Sequence, residues 1–92
     1  DSAPVLRLMN SILTEAIRRR ASDIHIEPYK NDFEVRYRID GELHVIHTLP
    51  RRYLANLLGR VKVMAELDIA ERRLPQDGRI ALKVDDKGVD LR

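Results

Sequence analysis

Phe33-Glu34-Val35-Arg36-Tyr37-Arg38-Ile39-Asp40-Gly41 decides the fold of this chain. Phe33, Val35, Tyr37 and Ile39 alternate with Glu34, Arg36 and Arg38, the period of a strand with one buried and one wet face. Asp40-Gly41 follows at once. That pair is a strong signal for a two-residue hairpin turn. The chain therefore doubles back, and Leu43, Val45 and Ile46 carry the return strand to about Leu49. The alternation slips between Val45 and Ile46, the mark of a bulge or a frayed end.

Upstream, Asp23-Ile24-His25-Ile26-Glu27-Pro28 alternates in the same way, and Pro28 either ends the strand or places it at an edge. Before it, Val5, Leu8, Met9, Ile12, Leu13, Ala16 and Ile17 recur at spacings of three and four. This predicts an amphipathic helix from Pro4 to about Arg20. Ser2 suits its N-cap, and Arg18, Arg19 and Arg20 complement the dipole at its C-terminal end. Downstream, Pro50 opens a second predicted helix to about Leu67, with Leu54, Leu57, Leu58, Val61, Met64 and Ala65 on its apolar face. Gly59 weakens that helix or permits close packing. Ala70 to Arg73 reads as a short turn before a stop at Leu74-Pro75. Ile80, Leu82 and Val84 then form a strand, Asp85 to Gly88 a turn, and Val89 to Arg92 a return strand. The expected architecture is α+β, a mostly antiparallel sheet with two amphipathic helices packed on one face.

The length of 92 residues fits a single domain spanning 1–92. Hydrophobic residues at 43% argue against disorder. Acids and bases are interleaved and the net charge is only +2, so no one-signed patch with aromatics points to nucleic acid. The absence of cysteine excludes disulfides and thiolate metal sites. No apolar run approaches the ~18 residues of a membrane span, and no leader is visible. The chain opens at Asp1 without a Met and stops at Arg92 within a strand-like run, so both ends read as cut from something longer.

Asp23, His25 and Glu27 share one strand face and His44 lies on a later strand, a set to weigh as a metal or acid-base cluster. Ordinary alternation explains it better, and a regular strand sends His44 and His47 to opposite sides. No metal is expected. No nucleophile elbow occurs. The glycines at 41, 59, 78 and 88 stand singly, so no loop here cradles a phosphate. The arginines are the better candidates. Leu74-Pro75-Gln76-Asp77-Gly78-Arg79-Ile80 is a stiff bend that presents Arg79 at the start of a strand, Arg92 ends the partner strand, and Arg36 and Arg38 sit on a strand before a tight turn. Guanidinium is a fixed fork of donors suited to phosphate oxygens. The plainer reading pairs these arginines with Asp77, Asp90 or Glu34 as surface ion pairs.

Four words together resemble a known family. Ala21-Ser22-Asp23-Ile24-His25-Ile26-Glu27-Pro28 comes first, then Arg36-Tyr37-Arg38-Ile39-Asp40-Gly41. The third runs Lys62-Val63-Met64-Ala65-Glu66-Leu67-Asp68-Ile69-Ala70-Glu71-Arg72-Arg73-Leu74-Pro75-Gln76-Asp77-Gly78-Arg79, and Val89-Asp90-Leu91-Arg92 closes the set. In this order they look like the GspE/PilB-type ATPases of type II secretion and type IV pilus assembly. The likeness is to the second N-terminal domain, which precedes the ATPase core, and covers nearly the whole chain. It implies an α/β module linked to a RecA-like C-terminal ATPase domain. It also implies a homohexameric ring on the cytoplasmic side of the bacterial inner membrane that acts on platform proteins there. ATP and Mg would be bound mainly by that ATPase domain, whose Walker and His boxes are not in this chain, so the isolated domain is not expected to be catalytic. By motif position, Arg79 and Arg92 would reach the ATP phosphates when the two domains close. The competing expectation is a docking module, with Arg18–Arg20 and the helices binding a neighbouring subunit or the membrane platform and the loop arginines as bystanders.

Overall fold

The computed structural model describes residues 3–68, 79–85 and 88–91, with side chains at 4–61 and 79–84. The chain runs α1 (Ala3–Arg18), β1 (Asp23–Pro28), β2 (Asp32–Ile39) and β3 (Glu42–Pro50). A 3-10 turn (Arg51–Tyr53), α2 (Leu54–Asp68), β4 (Ile80–Asp85) and β5 (Gly88–Leu91) follow. The five strands form one sheet in the order β3-β2-β1-β4-β5, and every neighbouring pair is antiparallel. The expected α+β architecture is borne out.

The deciding stretch does what its pattern requires. Phe33, Val35 and Tyr37 are fully buried. Asp40 and Gly41 have φ of 52° and 83°, the left-handed pair of the expected turn, and Ile39 faces Glu42 across it. Met9, Ile12 and Ala16 of α1 and Leu54, Leu57 and Val61 of α2 pack into one core with Ile24, Ile26, Ile80 and Leu82 of the sheet, and Val5 of α1 is buried as well. Both helices thus cover one face. Tyr37 adds a polar tie, its hydroxyl donating to the Ile12 carbonyl at 2.5 Å. Burial pushes this phenol up to about 12, so it stays protonated and keeps donating.

Several expectations are corrected. α1 ends at Arg18, not Arg20, because Arg20 turns left-handed at φ 58°. The Arg20 N–H then donates to the Ile17 carbonyl at 3.0 Å, and the Ala21 N–H to the Ala16 carbonyl at 2.9 Å, the two bonds of a Schellman ending. Ile17, assigned to the apolar face, is 52% exposed. Of the two readings of Pro28 the first holds: it ends β1, which is central rather than an edge. Pro28 ends it beyond β4, whose ladder covers only Asp23–Ile26, so its missing N–H leaves that ladder intact. Pro50 closes β3 and precedes the 3-10 turn, so α2 starts later, at Leu54. A Cβ at Gly59 would meet nothing within 4 Å, so close packing does not explain that glycine.

The slip in β3 is a bulge. The register shifts between Val35 and Arg36, which pair with His47 and Val45. His44 consequently pairs with Tyr37 and His47 with Val35, two residues of one face, so the two histidines do not diverge as a regular strand would have them. Leu43 and Val45 take the opposite side and remain 40% and 52% exposed, whereas Ile46 packs partly against the core. Ser2, the side chains of Met64 and Ala65, the turn expected at Ala70–Arg73 and the Leu74-Pro75 stop lie outside the described residues.

Candidate functional site

The face of the sheet away from the helices is a field of charge, because every second residue of β1 and β2 must point there once the apolar set points inward. Asp23, His25 and Glu27 of β1 lie across from Arg38, Arg36 and Glu34 of β2. On the other side, Asp23 pairs with Lys83 and His25 with Ala81 of β4. Ile26 pairs with Ile80, so Arg79, one residue before the strand, comes alongside Glu27.

The contacts follow from this register. Arg38 approaches Asp23 at 3.7 Å and donates to the Gly41 carbonyl at 3.0 Å. Arg36 donates to Glu34 at 2.6 Å and 3.0 Å and to the Tyr29 hydroxyl at 2.5 Å. That hydroxyl donates in turn to Glu34 at 3.0 Å. Arg36 and then Tyr29 hold the Glu34 carboxyl below its ordinary value through these hydrogen bonds. The Arg79 Nε stands 3.3 Å from a Glu27 oxygen. Its side chain is 63% exposed and that of Glu27 is 23% exposed. The arginine projects into solvent from a carboxylate seated in the sheet.

Asp23 and Glu27, beside His25 on one strand face, are each engaged by neighbouring side chains. Asp23 accepts from the Ser22 hydroxyl at 2.8 Å and faces Arg38, while Glu27 is engaged by Arg79. Burial lowers the His25 pKa first and Arg38 lowers it further, against the pull of Asp23 and Glu27, which favours a neutral imidazole. Among the described residues, no group of three such side chains could hold a metal ion. An open apolar cleft of about 270 Å³ lies between the start of α1 and the end of β3, lined by Pro4, Val5, Leu8, Leu49 and Tyr53. Among the described residues, no charged side chain lines it.

Asp77, Asp90 and Glu34 are the ion-pair partners that proximity in the sequence suggests for the arginines. Glu34 does take Arg36, but Arg79 reaches Glu27, which only the β1–β4 pairing brings near. Arg92, Asp77 and the Asp90 side chain lie outside the described residues, as does the bend before Arg79.

A family model described as type II/IV secretion system protein matches residues 1–92. The chain belongs to that family. It is 54% identical over 92 residues to the type II secretion system protein E of Klebsiella pneumoniae, a match covering all of this chain and 18% of that protein. It is 56% identical over 93 residues to the type II secretion system protein HxcR of Pseudomonas aeruginosa, covering 20% of that protein. With the type IV pilus assembly ATPase PilB of Myxococcus xanthus it shares 55% identity over 84 residues, 91% of this chain and 15% of that protein. The resemblance to GspE/PilB-type proteins is borne out, and the chain corresponds to an N-terminal domain of such proteins. It spans a fifth or less of the length of these relatives. Both secretion and pilus proteins are among this chain's relatives, so the branch is open.

Proposed function

We propose that this domain regulates a secretion or pilus-assembly ATPase by delivering arginines to ATP held by an adjacent ATPase domain. Arg79 and Arg92 would contact the phosphates, and the neighbouring domain would bind the nucleotide and its Mg. The observation that carries this reading is the placement of Arg79: a largely exposed guanidinium just before the start of β4, in a chain of this family. An arginine brought in by a second domain stabilises charge on the transferring phosphoryl group only when the domains close. Hydrolysis then becomes coupled to domain motion. In a homohexamer at the cytoplasmic face of the inner membrane, that motion would act on membrane-platform proteins and so drive secretion or pilus assembly.

The test is Arg79→Ala in the full-length protein. Loss of an arginine aimed at the transferring phosphate lowers the ATPase rate by at least about tenfold, and by ~10³-fold or more if it acts as a full arginine finger. A rate within about twofold of wild type, less than 0.5 kcal/mol of barrier, removes the proposed role.

One observation favours the docking reading: Ile17 is exposed beside Arg18, Arg19 and Arg20 at the end of α1, an apolar residue framed by positive charge. In that case charge reversal at Arg18–Arg20 abolishes assembly and leaves per-subunit hydrolysis intact.

A further inference from the structure

Glu27 lies between two groups of opposite demand. Across the β1–β2 ladder it pairs directly with Glu34, and like charges at such positions repel. Arg36 and the Tyr29 hydroxyl satisfy Glu34 from its own side. Glu27 has Arg79 on the other side, 3.3 Å away. The cross-strand order is thus Arg79, Glu27, Glu34, with Arg36 next to Glu34 on β2, and the two arginines offset the two acids.

We propose that Glu27 is a positioning residue that holds Arg79 on the sheet while the domains are open, and that ATP must draw Arg79 off it. This rests on the reading of Arg79 given above. Phosphate wins the competition when the domains close, because its oxygens carry more charge and accept from the guanidinium fork more strongly. Leaving Glu27 beside Glu34 without its counter-charge still opposes the move. The pair therefore acts as a brake on engagement. It is anchored in a central strand, where Glu27 is mostly covered and Arg79 is mostly exposed, so the arginine is the mobile partner.

The experiment measures ATP hydrolysis against ATP concentration in the full-length protein for Glu27→Gln, Arg79→Ala and the double variant, with thermal melts of each. Releasing a solvent-exposed ion pair stabilises the engaged state by a small factor, so E27Q lowers KM for ATP about two- to fivefold. kcat stays within about twofold, because ground state and transition state gain alike. In the R79A background E27Q changes neither constant, which a merely structural role for Glu27 would not produce. If E27Q does not fold, Glu27→Asp keeps the charge, withdraws it from Arg79, and gives a smaller fall in KM. An unchanged or raised KM in a normally melting E27Q protein, with R79A impaired, overturns the brake and leaves the role of Arg79 standing. An R79A protein with wild-type rates overturns both.

Discussion

Arg20 shows how a single residue can work against its own backbone. Its φ of 58° is where glycine is usual, and a side chain there costs roughly 1–2 kcal/mol. Glycine would relieve that strain and return about 0.4–1 kcal/mol through the entropy of the unfolded chain. Arg20→Gly should therefore raise stability by about 0.5–1 kcal/mol, read as a higher urea midpoint with an unchanged slope. A lower midpoint would mean that Arg20 makes a stabilising contact large enough to outweigh the turn. Its neighbours are spent locally: Arg18 and Arg19 both reach the Glu15 carboxylate at 2.6 Å. Hydrogen bonds from Arg18 and then Arg19 lower the Glu15 pKa from 4.5 to about 2. A carboxyl depressed by folding contributes stability above its unfolded pKa and loses it as pH falls through the folded one. The Glu15 contribution is thus complete above about pH 4.5 and gone below about pH 2, and solvent screening keeps it modest. Urea melts of wild type and Glu15→Gln should differ at pH 7 and converge towards pH 2. A gap that persists at pH 2 would point to packing rather than charge.

At the scale of elements, Tyr37 joins β2 to the middle of α1 through its bond to the Ile12 carbonyl. Tyr37→Phe keeps the ring buried and removes that bond, which should cost about 0.5–1.5 kcal/mol. In a domain of this size that is a fall of roughly 4–8 °C in Tm per kcal/mol. No change in Tm would mean that ring packing alone fixes the helix on the sheet. The elements themselves were legible wherever the pattern was local. Alternation over 33–39 with Asp40-Gly41 specified a hairpin, and three-four spacing in α1 specified the buried Val5, Met9, Ile12 and Ala16. The end of α1 was not legible, because a run of three arginines reads as a helix C-terminus while the break depends on one left-handed residue. The bulge was visible as a slip in β3, but its effect on His44 and His47 required the register.

At the scale of the molecule, the pairing of β1 with β4 joins the first three strands to the second hairpin, and no turn signal announces it. This contact sets Arg79 beside Glu27, which is why the sequence could nominate the arginine but not its carboxylate partner. The outer face is also mixed in sign: Asp23 and Glu27 of β1 and Glu34 of β2 each face or adjoin an arginine or lysine. Such a face does not gather an anion by field alone, so a phosphate must compete for individual guanidiniums. Arg79, one residue before β4 and with its side chain 63% exposed, is more accessible to such a phosphate than Arg36, whose side chain is 30% exposed. The most direct measurement is a structure of the full-length subunit closed on a non-hydrolysable ATP analogue. The Arg79 guanidinium should have left Glu27 and lie about 3 Å from a phosphate oxygen. An Arg79 still seated on Glu27 in the closed, nucleotide-bound subunit, with the phosphates out of hydrogen-bond reach, would contradict the proposal at its root.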